Sequence, residues 1–205
     1  MDTRTIRLAA LMLAGFIFDA RAVSPKVAAP APADASQNAC EREMLRASRD
    51  HNIPVNVLYA VSLTETGRGG KLDPFAINVE GKAAFSRTRA EAMDKVARAR
   101  AQGAKLIDIG CMQINHHFHG AKFGSVADMF EPARNVDYGA RFLIELKQRE
   151  GSWTKAVARY HAGPGNLPAQ KTYVCSVIRN MVASGLGSWT DNAKSFCMTM
   201  EFREH

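Results

Sequence analysis

Asn52-Ile53-Pro54-Val55-Asn56-Val57-Leu58-Tyr59-Ala60-Val61-Ser62-Leu63-Thr64-Glu65-Thr66-Gly67 is the stretch on which the reading of this chain turns. It begins as a helix begins: Asn52 suits an N-cap, and Pro54 suits a first turn, which needs no amide donor from it. It ends as one ends, because Gly67 opens the run Gly67-Arg68-Gly69-Gly70. Leu58, Val61 and Glu65 fall at i, i+3 and i+7 and so share a face. A single carboxylate thus closes an otherwise apolar stripe where the helix gives way to a loop. Burying an ionised carboxylate costs several kcal/mol unless it is paired, so the group finds a partner or raises its pKa. From this stretch alone Glu65 reads either as a frayed helix end in water or as a group held for proton chemistry.

Outward toward the N-terminus, Arg4 and Arg7 precede the apolar run from Leu8 to Phe18, and Ala20-Arg21-Ala22 follows. That order predicts a cleaved secretory signal over residues 1–22. The apolar run is about half the roughly 20 residues a membrane span needs, so no stable span is expected after cleavage. Residues 23–39 are rich in Ala, Pro and Ser and read as a flexible leader. The remainder suits one compact domain over residues 40–184 with a tail over 185–205. All four cysteines, Cys40, Cys111, Cys175 and Cys197, follow the signal, and an even count in an exported chain predicts two disulfides. Four cysteines allow three connectivities. The expected one joins Cys40 to Cys111, tying the first helix to the middle of the domain, and Cys175 to Cys197, tying down the tail.

The chain carries a formal charge of +7. Residues 1–22 hold three arginines and two aspartates, so the exported chain keeps about +6. Such a balance favours an anionic partner: wall polymer, membrane surface or nucleic acid. The basic residues are scattered along helical segments with no aromatic-interleaved strand pattern, which argues against nucleic acid.

Along the rest of the chain, Glu41 to His51 reads as a helix with Met44, Leu45 and Ala47 as apolar positions. Residues 71–86 lose helical periodicity at Pro74, Asn78 and Gly81. Thr88 and Glu91 form a capping box before a helix whose apolar face is Ala90, Met93, Val96 and Ala97, ending at Gly103. Leu106 to Asn115 is a short strand turning at Gly110, with the amides Gln113 and Asn115 projecting from one side. Amides offer both donors and acceptors, as sugar hydroxyls and acetamido groups require. His116-His117-Phe118-His119 lacks a carboxylate or cysteine at ligand spacing and makes a poor metal frame. Further helices are read over residues 125–130, 135–150 (core face Val136, Ala140, Leu143 and Leu146), 153–162 and 168–184 (Tyr173, Val177 and Met181). No internal repeat, phosphate loop, serine nucleophile elbow or cofactor motif appears.

Four segments in this order resemble the lytic transglycosylases of the lysozyme-like superfamily. They are Ala60-Val61-Ser62-Leu63-Thr64-Glu65-Thr66, Gly110-Cys111-Met112-Gln113-Ile114-Asn115, Asn135-Val136-Asp137-Tyr138-Gly139-Ala140-Arg141-Phe142-Leu143, and Ala156-Val157-Ala158-Arg159-Tyr160-His161-Ala162-Gly163. The second and fourth are similar to the family's Gly-Leu-Met-Gln-Ile and Ala-Tyr-Asn-Ala-Gly signatures. The resemblance implies a mainly α, lysozyme-like, two-lobed domain with little β structure and a glycan-binding cleft between the lobes. It implies Glu65 as the catalytic acid, with Met112, Gln113 and Tyr160 lining sugar subsites and Asn78 and Asn115 as further polar contacts. Three departures stand out: Thr66 where relatives have Ser, His161 where they have Asn, and a longer segment from Gly81 to Lys105 along one wall of the cleft.

The resemblance further implies a periplasmic or secreted enzyme that needs no cofactor and acts on peptidoglycan glycan strands. Some members of this branch open the wall locally for secretion systems, pili or flagella, whose components become expected partners. Glu65 would donate a proton to the bond between N-acetylmuramic acid and N-acetylglucosamine, its pKa raised from about 4.3 toward roughly 6 by an apolar setting. The resulting carboxylate would then take the proton of the C6 hydroxyl, giving a 1,6-anhydro product. Two other readings stay open. A hydrolytic muramidase would pair Glu65 with a second carboxylate, best supplied by Asp108. A wall-binding assembly protein would keep the cleft without the chemistry.

Overall fold

The computed structural model describes residues 38–66 and 70–198, all within one compact unit, Asp34–His205. The expected signal peptide, nearly all of the expected leader, and the stop at Gly67 lie outside the described residues. Helix α1 (Ala39–His51) starts on the Asn38 side chain, which accepts from the Cys40 amide, and buries Cys40, Met44 and Ala47. Leu45, placed with the apolar positions by its type, is 39 % exposed.

Asn52 does not begin the next helix. It ends α1, in the left-handed region at φ 51°, with its amide bonded to the Ser48 carbonyl. Asparagine suits that conformation as well as it suits an N-cap, and only the chain path separates the two roles. Ile53 is buried just beyond, and Ser48 closes the corner from both sides: its hydroxyl donates to the Ile53 carbonyl and its carbonyl accepts the Ile53 amide. The Pro54 carbonyl then accepts the Val57 amide as α2 (Val55–Thr66) begins.

Helix α2 is not striped but buried nearly all round: Val57, Leu58, Ala60, Val61, Ser62, Leu63 and Thr66 are all inside. A helix apolar on every side belongs in a core. Its two buried hydroxyls are satisfied, Ser62 donating to the Cys111 carbonyl and Thr66 to the Ser62 carbonyl. Helix α2 packs against α8 (Leu167–Ala183) and α1, while α6 (Pro132–Glu150) packs against α1 and α7 (Trp153–His161).

Beside this helical body lies a four-stranded antiparallel sheet of order β2-β1-β3-β4, built from β1 (Ile77–Val79), β2 (Lys82–Ala84), β3 (Ile107–Ile109) and β4 (Ile114–Asn115). Helix α3 (Arg89–Ala101) connects β2 to β3. Thr88 accepts the Glu91 amide as the capping box predicts, but the Glu91 carboxylate reaches back to the Arg87 amide rather than to that of Thr88. The buried face is Ala92, Val96 and Ala99 with Met93 half-buried; Ala90 and Ala97, expected inside, are exposed. Alanines on several faces gave the pattern too little contrast to fix the side.

Short helices α4 (His116–His119) and α5 (Val126–Met129) lead into α6. The expected tail contains a helix, α9 (Asp191–Met198), packed on α8. Cys40 is bonded to Cys111 and Cys175 to Cys197, the anticipated connectivity among the three. The architecture is mainly α and lysozyme-like. No helix among the described residues is long and apolar enough to cross a membrane.

Candidate active site

Glu65 is the penultimate residue of α2, so the buried helix fixes its backbone while its side chain, 15 % exposed, reaches a cavity of about 390 Å³. The turn opposite is held just as firmly. Gly110 sits at φ 79°, and a Cβ there would stand 2.7 Å from Asn135 Nδ2, so both conformation and space demand glycine. The wholly buried Asn135 of α6 accepts the Met112 amide and donates to the carbonyls of Ile109 and Met129, each at 2.8 Å. This amide staples the Gly110–Gln113 turn to the helical body, a role no local pattern in the sequence signalled.

The sheet supplies one wall of the cavity. In its register Asn78 stands opposite Asp108, and Asp108 opposite Asn115, so three polar side chains from three strands share one face. Neighbouring Ile77, Ile107, Ile109 and Ile114 are buried. The Asn115 amide donates to Asp108 at 2.6 Å, and its carbonyl oxygen accepts from the amides of His117 and Phe118, capping α4. Burial raises the Asp108 pKa against the hydrogen bond from Asn115, and the nearby Glu65 charge adds to the rise. The Asn78 side-chain oxygen accepts the Gly81 amide and closes the β1–β2 turn. Asn78, Gly81, Leu106, Asp108 and Asn115 all line the cavity, so the longer segment from Gly81 to Lys105 touches the wall only at its first residue.

Gln113 adopts φ 46° and gives both amide hydrogens to backbone carbonyls, Ala76 at 3.1 Å and Gly110 at 3.0 Å. Its side-chain oxygen is therefore the atom left for a ligand. Met112 requires a correction: its side chain is fully buried against Gly139 and does not line the cavity. Alternation with Ile114 put it on the apolar side, and core packing keeps it there. Its carbonyl instead receives the Tyr160 hydroxyl at 2.8 Å, which fixes the Tyr160 ring in the wall beside Phe142. Burial, then the charges of Glu65 and Asp108, push the Tyr160 pKa well up.

His161 and Tyr173 complete the surroundings of Glu65. His161 Nδ1 lies 3.6 Å from Glu65 Oε1, an ion-pair distance longer than a hydrogen bond. Its ring stacks flat on Tyr173, with centroids 4.3 Å apart and planes 3° from parallel. Tyr173 is 5 % exposed, and its hydroxyl makes no hydrogen bond. Burial, and after it the nearby Glu65 carboxylate, push the Tyr173 pKa well up. The sequence placed Tyr173 in a core stripe, which is true of its ring; nothing local showed that its hydroxyl faces a carboxylate. A second cavity of about 340 Å³ opens here, lined by Thr64, Thr172, Tyr173 and Ser176, and Glu65 and His161 border both cavities.

A carboxylate at the junction of two cavities, with amides along one wall and aromatic rings along the other, suits proton transfer to a bond spanning the two spaces. In a comparison with family models, the Transglycosylase SLT domain model matches residues 44–179. The chain belongs to that family. Comparison with curated proteins and with solved structures gives no match. The match spans α1 through most of α8 and takes in every residue of the cavity wall named above. The family acts on peptidoglycan, outside the cytoplasm.

Proposed function

We propose that this protein is a peptidoglycan lytic transglycosylase that cleaves the β-1,4 bond between N-acetylmuramic acid and N-acetylglucosamine, with Glu65 as its acid and base. The observation that carries the reading is the place of Glu65, rigid on a core helix and bordering both cavities. A strand laid across the junction puts one sugar on either side of the carboxyl group. Glu65 in its protonated form donates to the glycosidic oxygen as the C1–O bond breaks. The oxocarbenium charge is met by the substrate's own acetamido oxygen, so no protein nucleophile is required. The Glu65 carboxylate then accepts the C6 hydroxyl proton as O6 bonds to C1. No water is consumed. Gln113, Asn78 and Asn115 offer hydrogen bonds to acetamido and hydroxyl groups, and Tyr160 and Phe142 present ring faces to the sugar.

A hydrolytic muramidase is the second reading, favoured by one observation: Asp108 lines the same cavity as Glu65. Its raised pKa and its bond to Asn115 weigh against it as the anionic partner of that mechanism. Mass spectrometry of digested wall separates the two, since 1,6-anhydromuramoyl ends are expected and reducing muramic acid as the main product would reverse the assignment. A zymogram on purified peptidoglycan tests a purely binding role, which leaves no cleared band. The export signal and the branch resembled support a biological role in local wall opening for a secretion, pilus or flagellar assembly.

A further inference from the structure

We propose that His161 is the resting partner of Glu65: the ion pair between them, not the carboxyl group alone, sets the pH range over which the enzyme cleaves glycan. The inference rests on Glu65 being the acid. Geometry carries it. His161 is the last residue of α7, where the helix dipole favours a cation. Stacking on Tyr173 fixes the ring with Nδ1 toward Glu65 Oε1 at 3.6 Å. The side chain is 49 % exposed, so it exchanges protons with solvent, whereas Glu65 at 15 % is much less accessible.

The groups facing His161 agree in sign. Glu65 comes from α2, Asp108 from β3, Tyr173 from α8, and Tyr160 precedes it on α7; Glu80 acts on Asp108. The pull of the Glu65 carboxylate, as acceptor and as charge, holds the imidazole above its usual range against opposing burial, and Asp108 adds to it.

One proton sits on His161 in the resting pair, held by charge across 3.6 Å rather than by a hydrogen bond. In the working cycle His161 gives its proton to solvent as Glu65 takes one from solvent, and Glu65 donates it to the glycosidic oxygen as the C1–O bond breaks. When O6 bonds to C1, the C6 hydroxyl proton goes to Glu65, which releases it to solvent as His161 is recharged, so the proton count closes. Cleavage follows the fraction of enzyme whose proton sits on Glu65. Below the pH at which His161 charges, that fraction stops rising, because the imidazole already holds the proton that Glu65 would otherwise take. The alkaline limb of the rate profile then reports His161, and the acid side is a plateau. Without the imidazole, no plateau sets in at that pH and the profile continues to rise toward the acid side.

The test is kcat/KM on purified peptidoglycan from about pH 5 to about pH 9 for wild type, His161→Asn and His161→Phe, the last keeping a flat ring on Tyr173. The wild-type midpoint is expected above about 6.5. Both variants should move it down by about one unit or more, with the rate at the acid end rising relative to the alkaline end by about tenfold per unit. An unmoved midpoint in both variants overturns the proposal, as does a uniform loss at every pH, which marks a plain substrate contact. An NMR titration of the His161 ring reads the pair without activity: its pKa should fall in Glu65→Gln, and an unchanged value sinks the pairing. Failure of the underlying reading looks different, because Glu65→Gln would then still cleave.

Discussion

Helices α2 and α3 have nearly the same length, 12 and 13 residues, and the fold treats them in opposite ways. Helix α2 carries one acidic and no basic residue and is buried almost all round. Helix α3 carries Arg89, Lys95, Arg98 and Arg100 and buries three small or medium side chains. One is held by packing on every side; the other is held by its cap and a narrow strip of alanines and valine. The difference teaches where precision is kept. On the proposed reading, the acid that must meet a glycosidic oxygen belongs on the firmly packed helix, and Glu65 is on that helix. Helix α3 lies within the longer segment from Gly81 to Lys105, and none of its residues lines the cavity, so the extra length does not disturb the groups around Glu65.

Breaking the comparison at its chemical point gives the largest effect. Glu65→Gln should lower cleavage of purified wall by at least about 10²–10⁴-fold while its thermal melting stays near wild type. Unchanged turnover would detach the buried helix from catalysis. Truncating the packing comes next: Leu58→Ala on α2 should cost about 2–5 kcal/mol in urea unfolding, because the residue is wholly buried among side chains that cannot close the gap. Removing the bond that ties α1 to the catalytic turn, as Cys40→Ser with Cys111→Ser, should cost roughly 2–5 kcal/mol and leave Glu65 less well opposed. Reductant on the unaltered chain opens Cys175–Cys197 as well, so its cost should be at least as large. The smallest effect belongs to α3. Thr88→Ala should cost about 1 kcal/mol and leave wall cleavage unchanged, since only a cap is lost. A drop in cleavage with Thr88→Ala would show that α3 positions the cleft after all.

Several features were legible in the chain because they are local or composed of strong signals. The helix bearing Glu65, the Gly110 turn, the capping box of α3 and the spans of α6 through α8 all follow from periodicity and punctuation. The cysteine count, in a chain expected to be exported, pointed to two bridges. Other features stayed hidden for identifiable reasons. Asn52 satisfies the rules for both ends of a helix, and the corner at Ile53 decided between them. The alanines of α3 look alike on several faces. Met112 was drawn to the cleft by resemblance, although its alternation with Ile114 already placed it inside.

What the sequence determined by itself is the inventory and its order: one carboxylate at the end of an apolar helix, amides after a glycine turn, and a tyrosine–histidine pair closing a later helix. These follow from side-chain type and spacing along a few turns of chain. What only the tertiary structure decided is which of them meet. Strand register aligned Asn78, Asp108 and Asn115 from separate strands, Asn135 stapled a turn more than twenty residues away, and packing of α8 on α2 and of α7 on α8 brought Tyr173 and His161 toward Glu65. Such contacts depend on how whole elements bury their faces together, a sum over the core that no single segment of the chain contains.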